Sequence, residues 1–246
     1  MSAYGPLAHW YDVLTADIPY EEFASFFERM FREKGRREIR TVLDMACGTG
    51  TLTCMLAERG YEMIAVDASE DMLSELCAKS ENTGGVKPLI ICQPLDELDL
   101  YGTVDAAVCS LDGMNYIPKE ELPEIFRRLH LFVEPDGMLM FDLNTPERLR
   151  SLDGELFADE AEGLLCLWRA EFDEDEECLF YGMDIFSQTG SGLWRREEEE
   201  HIEYAHEPEM LRRILESEGF TDIEILKDGP QNTEGRIFIT AQNTPH

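Results

Sequence analysis

Residues 42–69 bring together the groups of this chain that are best suited to hold a small charged ligand. An apolar run, residues 42–45, leads into a bend that contains Gly48 and Gly50, and a second apolar run ends at Asp67. Glycine permits positive φ and lets a ligand approach the main chain closely. A glycine bend between a strand and a helix presents free N–H groups at the positive end of the helix. The segment therefore predicts a site for a nucleotide or a carboxylate.

Two common phosphate-binding loops do not match this segment. The dinucleotide motif G-x-G-x-x-G requires glycine at position 53, where the chain has Thr53, and this disfavours a nucleotide-dependent oxidoreductase. No Lys–Ser/Thr pair follows the bend, so a P-loop is excluded. Asp67 ends the second strand, where a carboxylate can accept hydrogen bonds from both hydroxyls of a ribose. The alternative for Asp67 is to cap the following helix, a role that Ser69 is also able to fill.

Composition and charge narrow the class of protein. The 246 residues suffice for one domain with a large core, and a formal net charge of −31 opposes binding to nucleic acid. No apolar run approaches the ~20 residues of a membrane span, and residues 1–10 lack a secretory signal pattern. The seven cysteines include no CxxC pair, which indicates reduced thiols rather than disulfides or a metal site. We therefore expect a cytoplasmic protein without nucleic-acid or membrane partners. The cysteines expected to be buried are Cys47, Cys54, Cys92 and Cys109.

Apolar strands that alternate with helical segments predict an α/β fold with a doubly wound, mostly parallel sheet. The strand segments are short and apolar throughout, as in strands that are covered on both faces. The predicted strands are residues 42–45, 63–66, 89–92, 106–110 and 138–142, and the predicted helices are residues 22–34, 51–59, 70–80 and 119–131.

The pattern changes after Asn144, where extended runs separated by turn residues predict an antiparallel β insertion. Its strands are residues 164–172, 177–188 and 193–205, and a helix (207–218) and two strands (222–227 and 236–242) follow. The predicted domains are residues 1–150 as the N-terminal helices and the α/β core, 151–206 as a cap over the substrate, and 207–246 as the last helix and strands.

The segment VLDMACGTGTLTCMLAERGYEMIAVDASEDML resembles the cofactor-binding half of class I S-adenosylmethionine-dependent methyltransferases. The first motif of that family, D/E-x-x-x-G-x-G, is matched by Asp44, Gly48 and Gly50, and its ribose-binding acidic residue is matched by Asp67. The similarity extends over about residues 4–144 and resumes more weakly in the last strands. It implies a seven-stranded Rossmann-like methyltransferase fold, S-adenosylmethionine as cofactor, and in-line transfer of a methyl group to a small-molecule acceptor.

The resemblance also implies which residues surround the cofactor. The glycine bend would lie against its methionine portion, with Asp44 organising the bend, while Ala68 and Met72 would lie near the adenine. Many relatives place an acidic residue against the adenine amino group, and here that position is occupied by Pro94. The neighbouring Leu95 or Asp96 is expected to supply the contact instead. The implied cofactor-binding residues are Tyr4, Tyr11, Asp44, Ala46, Gly48, Gly50, Asp67, Ala68, Met72, Leu95 and Ser110.

Two further segments have both a functional and a structural interpretation. In a bacterial subgroup of the family a tyrosine-containing N-terminal helix covers the cofactor, which makes Tyr4, Tyr11 and Tyr20 candidates for a lid; the alternative is aromatic packing onto the core. The fourth strand runs into CSLDGMNYIP, where Ser110, Asp112 and Asn115 would lie between cofactor and acceptor. The alternative for the second segment is a turn and helix cap.

The catalytic residues and the acceptor are not predicted. His201, Tyr204 and His206 are candidates for a general base. We expect Glu197–Glu200 to form a solvated strand face, and the histidines beside it to be solvated strand residues as well. The alternative function is a non-catalytic module that binds S-adenosylmethionine or a derivative. The sequence gives no indication of the acceptor atom or the oligomeric state.

Overall fold

Two β-sheets, one mostly parallel and one antiparallel, organise this protein. The computed structural model describes residues 5–231 and 235–244. The strands are β1 (Thr41–Met45), β2 (Glu62–Asp67), β3 (Leu89–Cys92), β4 (Val104–Cys109), β5 (Val133–Asn144), β6 (Leu156–Ala161), β7 (Leu164–Asp173), β8 (Cys178–Gln188), β9 (Trp194–Tyr204), β10 (Phe220–Leu226) and β11 (Arg236–Asn243). The α-helices are α1 (Tyr11–Leu14), α2 (Tyr20–Lys34), α3 (Thr51–Glu58), α4 (Glu70–Ser80), α5 (Leu122–Phe132), α6 (Pro146–Arg150) and α7 (Pro208–Ser217).

The larger sheet has seven strands in the order β10-β11-β5-β4-β1-β2-β3. Strands β5, β4, β1, β2 and β3 run parallel, and β11 pairs antiparallel with both β5 and β10. The order reverses on either side of β1, so that the carboxyl ends of β1 and β4 border a crevice of the kind that binds ligands in open α/β sheets. The predicted doubly wound sheet with an antiparallel insertion is confirmed.

Amphipathic helices cover both faces of this sheet. On α5 the apolar residues recur at intervals of three and four, and Leu122, Phe126 and Leu129 are fully buried against one face. On the opposite face, Phe23 and Phe27 of α2 are fully buried in a second apolar cluster. The two clusters cover both faces of the parallel strands, and the loops at the strand ends extend from this packed core. None of the helices within the described residues has the length and apolar composition that crossing a membrane requires.

Sheet position explains two departures from the sequence predictions. β3 is the edge strand of the larger sheet, so it is only partly covered, and the expectation that Cys92 is buried is wrong. β5 begins at Val133 rather than near residue 138, and Gly137 lies inside the strand. A Cβ at Gly137 would stand 2.8 Å from the Asp105 carbonyl oxygen, so a side chain there would collide with the neighbouring strand.

The smaller sheet is antiparallel, with strand order β6-β7-β8-β9. The sequence did not predict its first strand, β6, because nearly all of its residues are exposed and show no apolar alternation. The N-terminal segment packs on this sheet, where Leu7 joins Leu164, Met183 and Ile185 in a buried cluster. The N-terminal segment therefore connects the antiparallel sheet to the rest of the molecule.

Candidate functional site

A cavity of about 420 Å³ lies at the carboxyl ends of four parallel strands. Its wall is formed by residues 46–49 after β1, 67–69 after β2, 93–96 after β3 and 110–111 after β4. This volume lies within the range of roughly 300–1,000 Å³ that is typical of small-molecule sites. Of the predicted cofactor-binding residues, those that line the cavity are Tyr11, Ala46, Gly48, Asp67, Ala68, Met72, Leu95 and Ser110.

The two glycines of the bend have different surroundings. Gly48 has φ +56°, and a Cβ built there would have no atom within 4 Å. Gly50 has φ +69°, and its Cβ would stand 2.1 Å from Leu76 Cδ1 of α4. Gly48 therefore exposes backbone to the cavity, whereas Gly50 does not line it and instead allows α4 to pack against the start of α3.

Asp67 is held by the backbone of two loops. Its Oδ2 accepts a hydrogen bond from the Gly48 N–H at 2.8 Å, and its Oδ1 accepts one from the Ser69 N–H at 2.9 Å. The cap of α4 is Ser69, whose Oγ accepts from the Met72 N–H. Burial raises the pKa of Asp67, and the Ser69 and Gly48 N–H groups oppose that shift. Because each carboxylate oxygen has a second lone pair, both can still accept from a ligand.

Asp44 supports the bend from behind the cavity wall and does not line it. Its side chain is buried, and Thr53 Oγ1 donates a hydrogen bond to its Oδ2. Burial raises the pKa of Asp44 to about 7, with the Thr53 hydrogen bond opposing the shift and the charge of Asp67 adding to it. Thr53 occupies the position where the dinucleotide motif requires glycine. Here its hydroxyl group instead holds Asp44, the acidic residue of the D/E-x-x-x-G-x-G motif.

Aromatic side chains of the N-terminal segment reach the cavity. Tyr11 and Tyr20 line it, and Tyr4 lies outside the described residues. The Tyr20 hydroxyl donates to Thr15 Oγ1 at 3.1 Å. Burial raises the pKa of Tyr11 well above its usual value, and nearby Tyr20 and the carboxylate of Asp112 add to the effect. Tyr11 is therefore a neutral phenol at physiological pH.

The wall after β3 combines apolar and polar groups. Pro94, Leu95 and Asp96 all line the cavity together with Gln93. The Nε2 atom of Gln93 is buried and has no hydrogen-bond partner among residues 5–231 and 235–244. Since burying an amide donor without a partner is costly, this atom indicates a position for a polar ligand group.

The turn after β4 is strained and strongly braced. Leu111 and Asp112 both have positive φ, an uncommon backbone conformation for residues other than glycine. The carboxylate of Asp142, fully buried at the end of β5, accepts from the Leu111 N–H at 2.8 Å and the Asp112 N–H at 3.3 Å. Arg236 of β11 donates to Asp142 and, at 2.6 Å, to Asp112 Oδ1. Sequence reasoning missed Asp142 and Arg236, although an aspartate that ends an otherwise apolar strand was a signal.

Asn115 has a structural role in the same turn. Its Nδ2 donates to the carbonyl oxygens of Asn144 and Tyr204 at 3.1 and 2.9 Å, and its Oδ1 accepts from the Asn144 N–H. These bonds join the ends of β5 and β9. Ser110 lines the cavity, Asp112 pairs with Arg236, and Asn115 ties the two sheets together.

The expectation that His201 and His206 are solvated is wrong. Alternate residues of β9 face inward, so that Glu199, His201 and Glu203 are only 7%, 4% and 4% exposed, and His206 is 1% exposed. The Glu197–Glu200 run was likewise expected to be a solvated face, and this fails at Glu199. The error arose because a charged composition does not reveal which face of a strand is covered.

The buried residues of β9, and His206 just after that strand, have specific partners. His201 Nε2 lies 3.0 Å from Glu199 Oε2, and His206 Nε2 lies 3.0 Å from the Ile117 carbonyl oxygen. Glu203 Oε2 accepts from Asn144 Nδ2 at 3.2 Å. Burial, with the charge of Asp112 adding to it, raises the pKa of Glu203 to about 8.

The chain is similar to known methyltransferases along nearly its whole length. Residues 42–137 match the family model described as a methyltransferase domain. YqeM of Bacillus subtilis strain 168, which carries a methyltransferase name, is 29% identical over 98% of this chain and 97% of its own length. An S-adenosylmethionine-dependent methyltransferase from Clostridium acetobutylicum ATCC 824 has 27% identity and a TM-score of 0.85, covering 98% of this chain and 99% of that chain.

A further structure shares the fold at lower identity. The sugar N-methyltransferase KedS8 from Streptoalloteichus sp. ATCC 53650 is 20% identical, with a TM-score of 0.81 over 100% of this chain and 95% of that chain. The full-length relatives carry the same family name, and the motif Asp44-x-x-x-Gly48-x-Gly50 stands at the expected strand end. The methyltransferase domain over residues 42–137, the full-length relatives and the solved structure together support a class I S-adenosylmethionine-dependent methyltransferase.

Proposed function

We propose that this enzyme binds S-adenosylmethionine in the 420 Å³ cavity and methylates a small-molecule acceptor. The observation that carries the proposal is the hydrogen bond from the Gly48 N–H to Asp67 at the cavity wall. It sets an exposed backbone bend and a carboxylate side by side, as an adenosyl amino acid requires. The proposed contacts are those of the cavity-lining residues Tyr11, Ala46, Gly48, Asp67, Ala68, Met72, Leu95 and Ser110.

The residues present fit this cofactor. The space beside Gly48, where a Cβ would meet nothing within 4 Å, accommodates a ligand close to the main chain. Asp67 retains acceptor capacity for the ribose hydroxyls, and Gln93 Nε2 is a buried donor that a polar group of the adenine would satisfy. Asp44 and Gly50 would act indirectly, by fixing the shape of the bend.

Bound S-adenosylmethionine supplies a methyl group that its sulfonium makes electrophilic. The residues of this chain then have to orient the acceptor and exclude water. Tyr11 and Tyr20 line the cavity on the side of the N-terminal segment, and Ser110 lines it after β4. Glu203, whose pKa is about 8, is a buried group near the strand ends that can hold a proton at neutral pH.

The proposed acceptor is a small molecule that enters between the turn after β4 and the inner face of β9. Asn115 fixes the spacing of these elements through its bonds to the Asn144 and Tyr204 carbonyl oxygens. KedS8, which shares the fold, is named for methylation of a sugar nitrogen.

We also propose a division of the chain into three parts. Residues 1–150 form the core, residues 151–206 form the substrate cap, and residues 207–246 form the completing strands. We further propose that the protein is cytoplasmic, because all seven cysteines are free.

Calorimetry with S-adenosylmethionine, S-adenosylhomocysteine and NAD tests the cofactor assignment. We expect binding of the first two compounds and none of NAD. Incubation with isotopically methyl-labelled cofactor and a panel of small amines, alcohols and carboxylates, read by mass spectrometry, then tests the acceptor class. A protein that binds the cofactor but methylates only macromolecules would overturn the small-molecule acceptor, and a protein that binds NAD alone would overturn the whole proposal.

A further inference from the structure

The N-terminal segment, residues 5–14, is fixed to the antiparallel sheet at one end. Leu7 packs in the buried cluster of that sheet, and its N–H donates to Glu199 Oε1 at 2.7 Å. Glu199 is itself buried on the inner face of β9. A hydrogen bond of this kind, removed from water, holds the start of the segment.

The other end of the segment is fixed to the glycine bend. Asp12 Oδ1 accepts from Thr49 Oγ1 at 2.6 Å, and Lys79 Nζ lies 2.8 Å from Asp12 Oδ2. Lys79 Nζ also donates to Thr51 Oγ1 at 2.6 Å and to Thr49 Oγ1 at 3.2 Å. The ammonium group of α4 therefore joins the N-terminal segment to Thr49, which lies between the two glycines of the bend.

We propose that Lys79 is a positioning residue that holds the N-terminal segment over the cofactor cavity and thereby slows cofactor exchange. The proposal rests on the assignment of the cavity to S-adenosylmethionine. Tyr11, the neighbour of Asp12 in the chain, lines the cavity, so the contact between Lys79 and Asp12 also restrains that part of the wall. Thr49 is followed by Gly50 and preceded by Gly48, so the same contact also limits movement of the bend.

Lys79 also has a purely structural interpretation. It lies in the last turn of α4, where a cation interacts favourably with the helix dipole. That role predicts that removing the charge lowers the stability of the protein slightly and leaves the rate of cofactor dissociation unchanged. The positioning role predicts that cofactor dissociation accelerates, because the segment opens more often.

The experiment compares Lys79→Met with a matched ion pair elsewhere. Lys34 pairs with Glu224 at 2.7 Å with side-chain exposures of 24% and 51%, and Lys79 pairs with Asp12 at 2.8 Å with exposures of 25% and 47%. Dissociation of S-adenosylhomocysteine from full-length protein is followed by stopped-flow fluorescence, for which Trp10 is a reporter within the segment. We expect dissociation to be about 3–10 times faster in Lys79→Met, since a charge-assisted hydrogen bond contributes on the order of 1 kcal/mol at a partly exposed site. Lys34→Met should match the wild type.

Two further measurements keep the outcome unambiguous. Asp12→Asn should accelerate dissociation similarly, and the double variant should add little to either single change, because both remove the same contact. Chymotrypsin cleavage after Trp10 and Tyr11, measured without cofactor, should be faster in Lys79→Met than in Lys34→Met. Equal dissociation rates and equal cleavage rates in the two variants would overturn the proposal. If the wild type binds no S-adenosylhomocysteine, the proposed function fails and the cleavage comparison alone decides whether Lys79 fixes the segment.

Discussion

Replacing each glycine of the bend with alanine should separate the two functions that the bend combines. Both Gly48 and Gly50 have positive φ, at +56° and +69°. Only at Gly50 does the added methyl group meet another residue, with Leu76 Cδ1 at 2.1 Å. The two substitutions thus share a backbone cost and differ in a packing cost.

The magnitudes follow from these contacts. A left-handed conformation costs an L-residue roughly 1–2 kcal/mol, and replacing glycine restricts the unfolded chain, which offsets about 0.4–1 kcal/mol of this cost. Overpacking against a buried residue such as Leu76 adds roughly 1–3 kcal/mol. We therefore expect Gly48→Ala to lower the free energy of unfolding by about 1 kcal/mol and Gly50→Ala by about 2–4 kcal/mol.

Equilibrium urea denaturation without added cofactor measures both values under the same conditions. Calorimetry with S-adenosylmethionine then compares the cofactor affinity of the two variants. Gly48→Ala loses less stability than Gly50→Ala, but we expect it to lose more affinity, because its methyl group projects into the cavity. Equal losses of stability in the two variants would refute the assignment of Gly50 to helix packing. Unchanged cofactor affinity in Gly48→Ala would refute the assignment of Gly48 to the cofactor cradle.

Three other predictions test the carboxylates around the cavity. Asp67→Asn should weaken S-adenosylmethionine binding by ~1–3 kcal/mol in calorimetry, because a charge-assisted hydrogen bond becomes a neutral one, and the exposed Asp71→Asn is the control. The folded-state pKa of Asp44 is raised from 3.8 to about 7, so the native protein binds this proton more tightly than the unfolded chain. Stability from this group should therefore be present below pH 3.8 and be lost as the pH rises to about 7, and Asp44→Asn should flatten that part of the urea stability profile. Arg236→Met should cost about 3–5 kcal/mol of unfolding free energy, because it leaves the buried carboxylate of Asp142 without its cation. A loss below ~1 kcal/mol would show that Asp142 is compensated in another way.

The parallel core and the glycine bend were predictable because their signals are local. A buried parallel strand is apolar along its whole length, and a glycine needed for positive φ is visible in the sequence itself. The polar support of the turn after β4 was not predictable in this way. Asp142 and Arg236 are 94 residues apart and meet only because β11 returns antiparallel beside β5.

The inner face of β9 shows a second limit. Glu199, His201 and Glu203 alternate with exposed or partly exposed residues in a run that is charged almost throughout. Alternation identifies the two faces of a strand only when their compositions differ, and here both are polar. Which face is covered depends on how the antiparallel sheet sits on the core, and the sequence pattern contains no trace of that arrangement.

The bracing of Asp142 by Arg236 has a consequence for biosynthesis. Chains emerge from the ribosome amino-terminal end first, and domains begin to fold as they appear. The parallel strands can associate early, but the turn at Leu111 and Asp112 acquires its guanidinium support only after 94 residues beyond Asp142 have been made. In a nascent chain the cavity at the ends of the parallel strands would thus form before the turn after β4 is braced, and we expect full activity only after translation has passed β11.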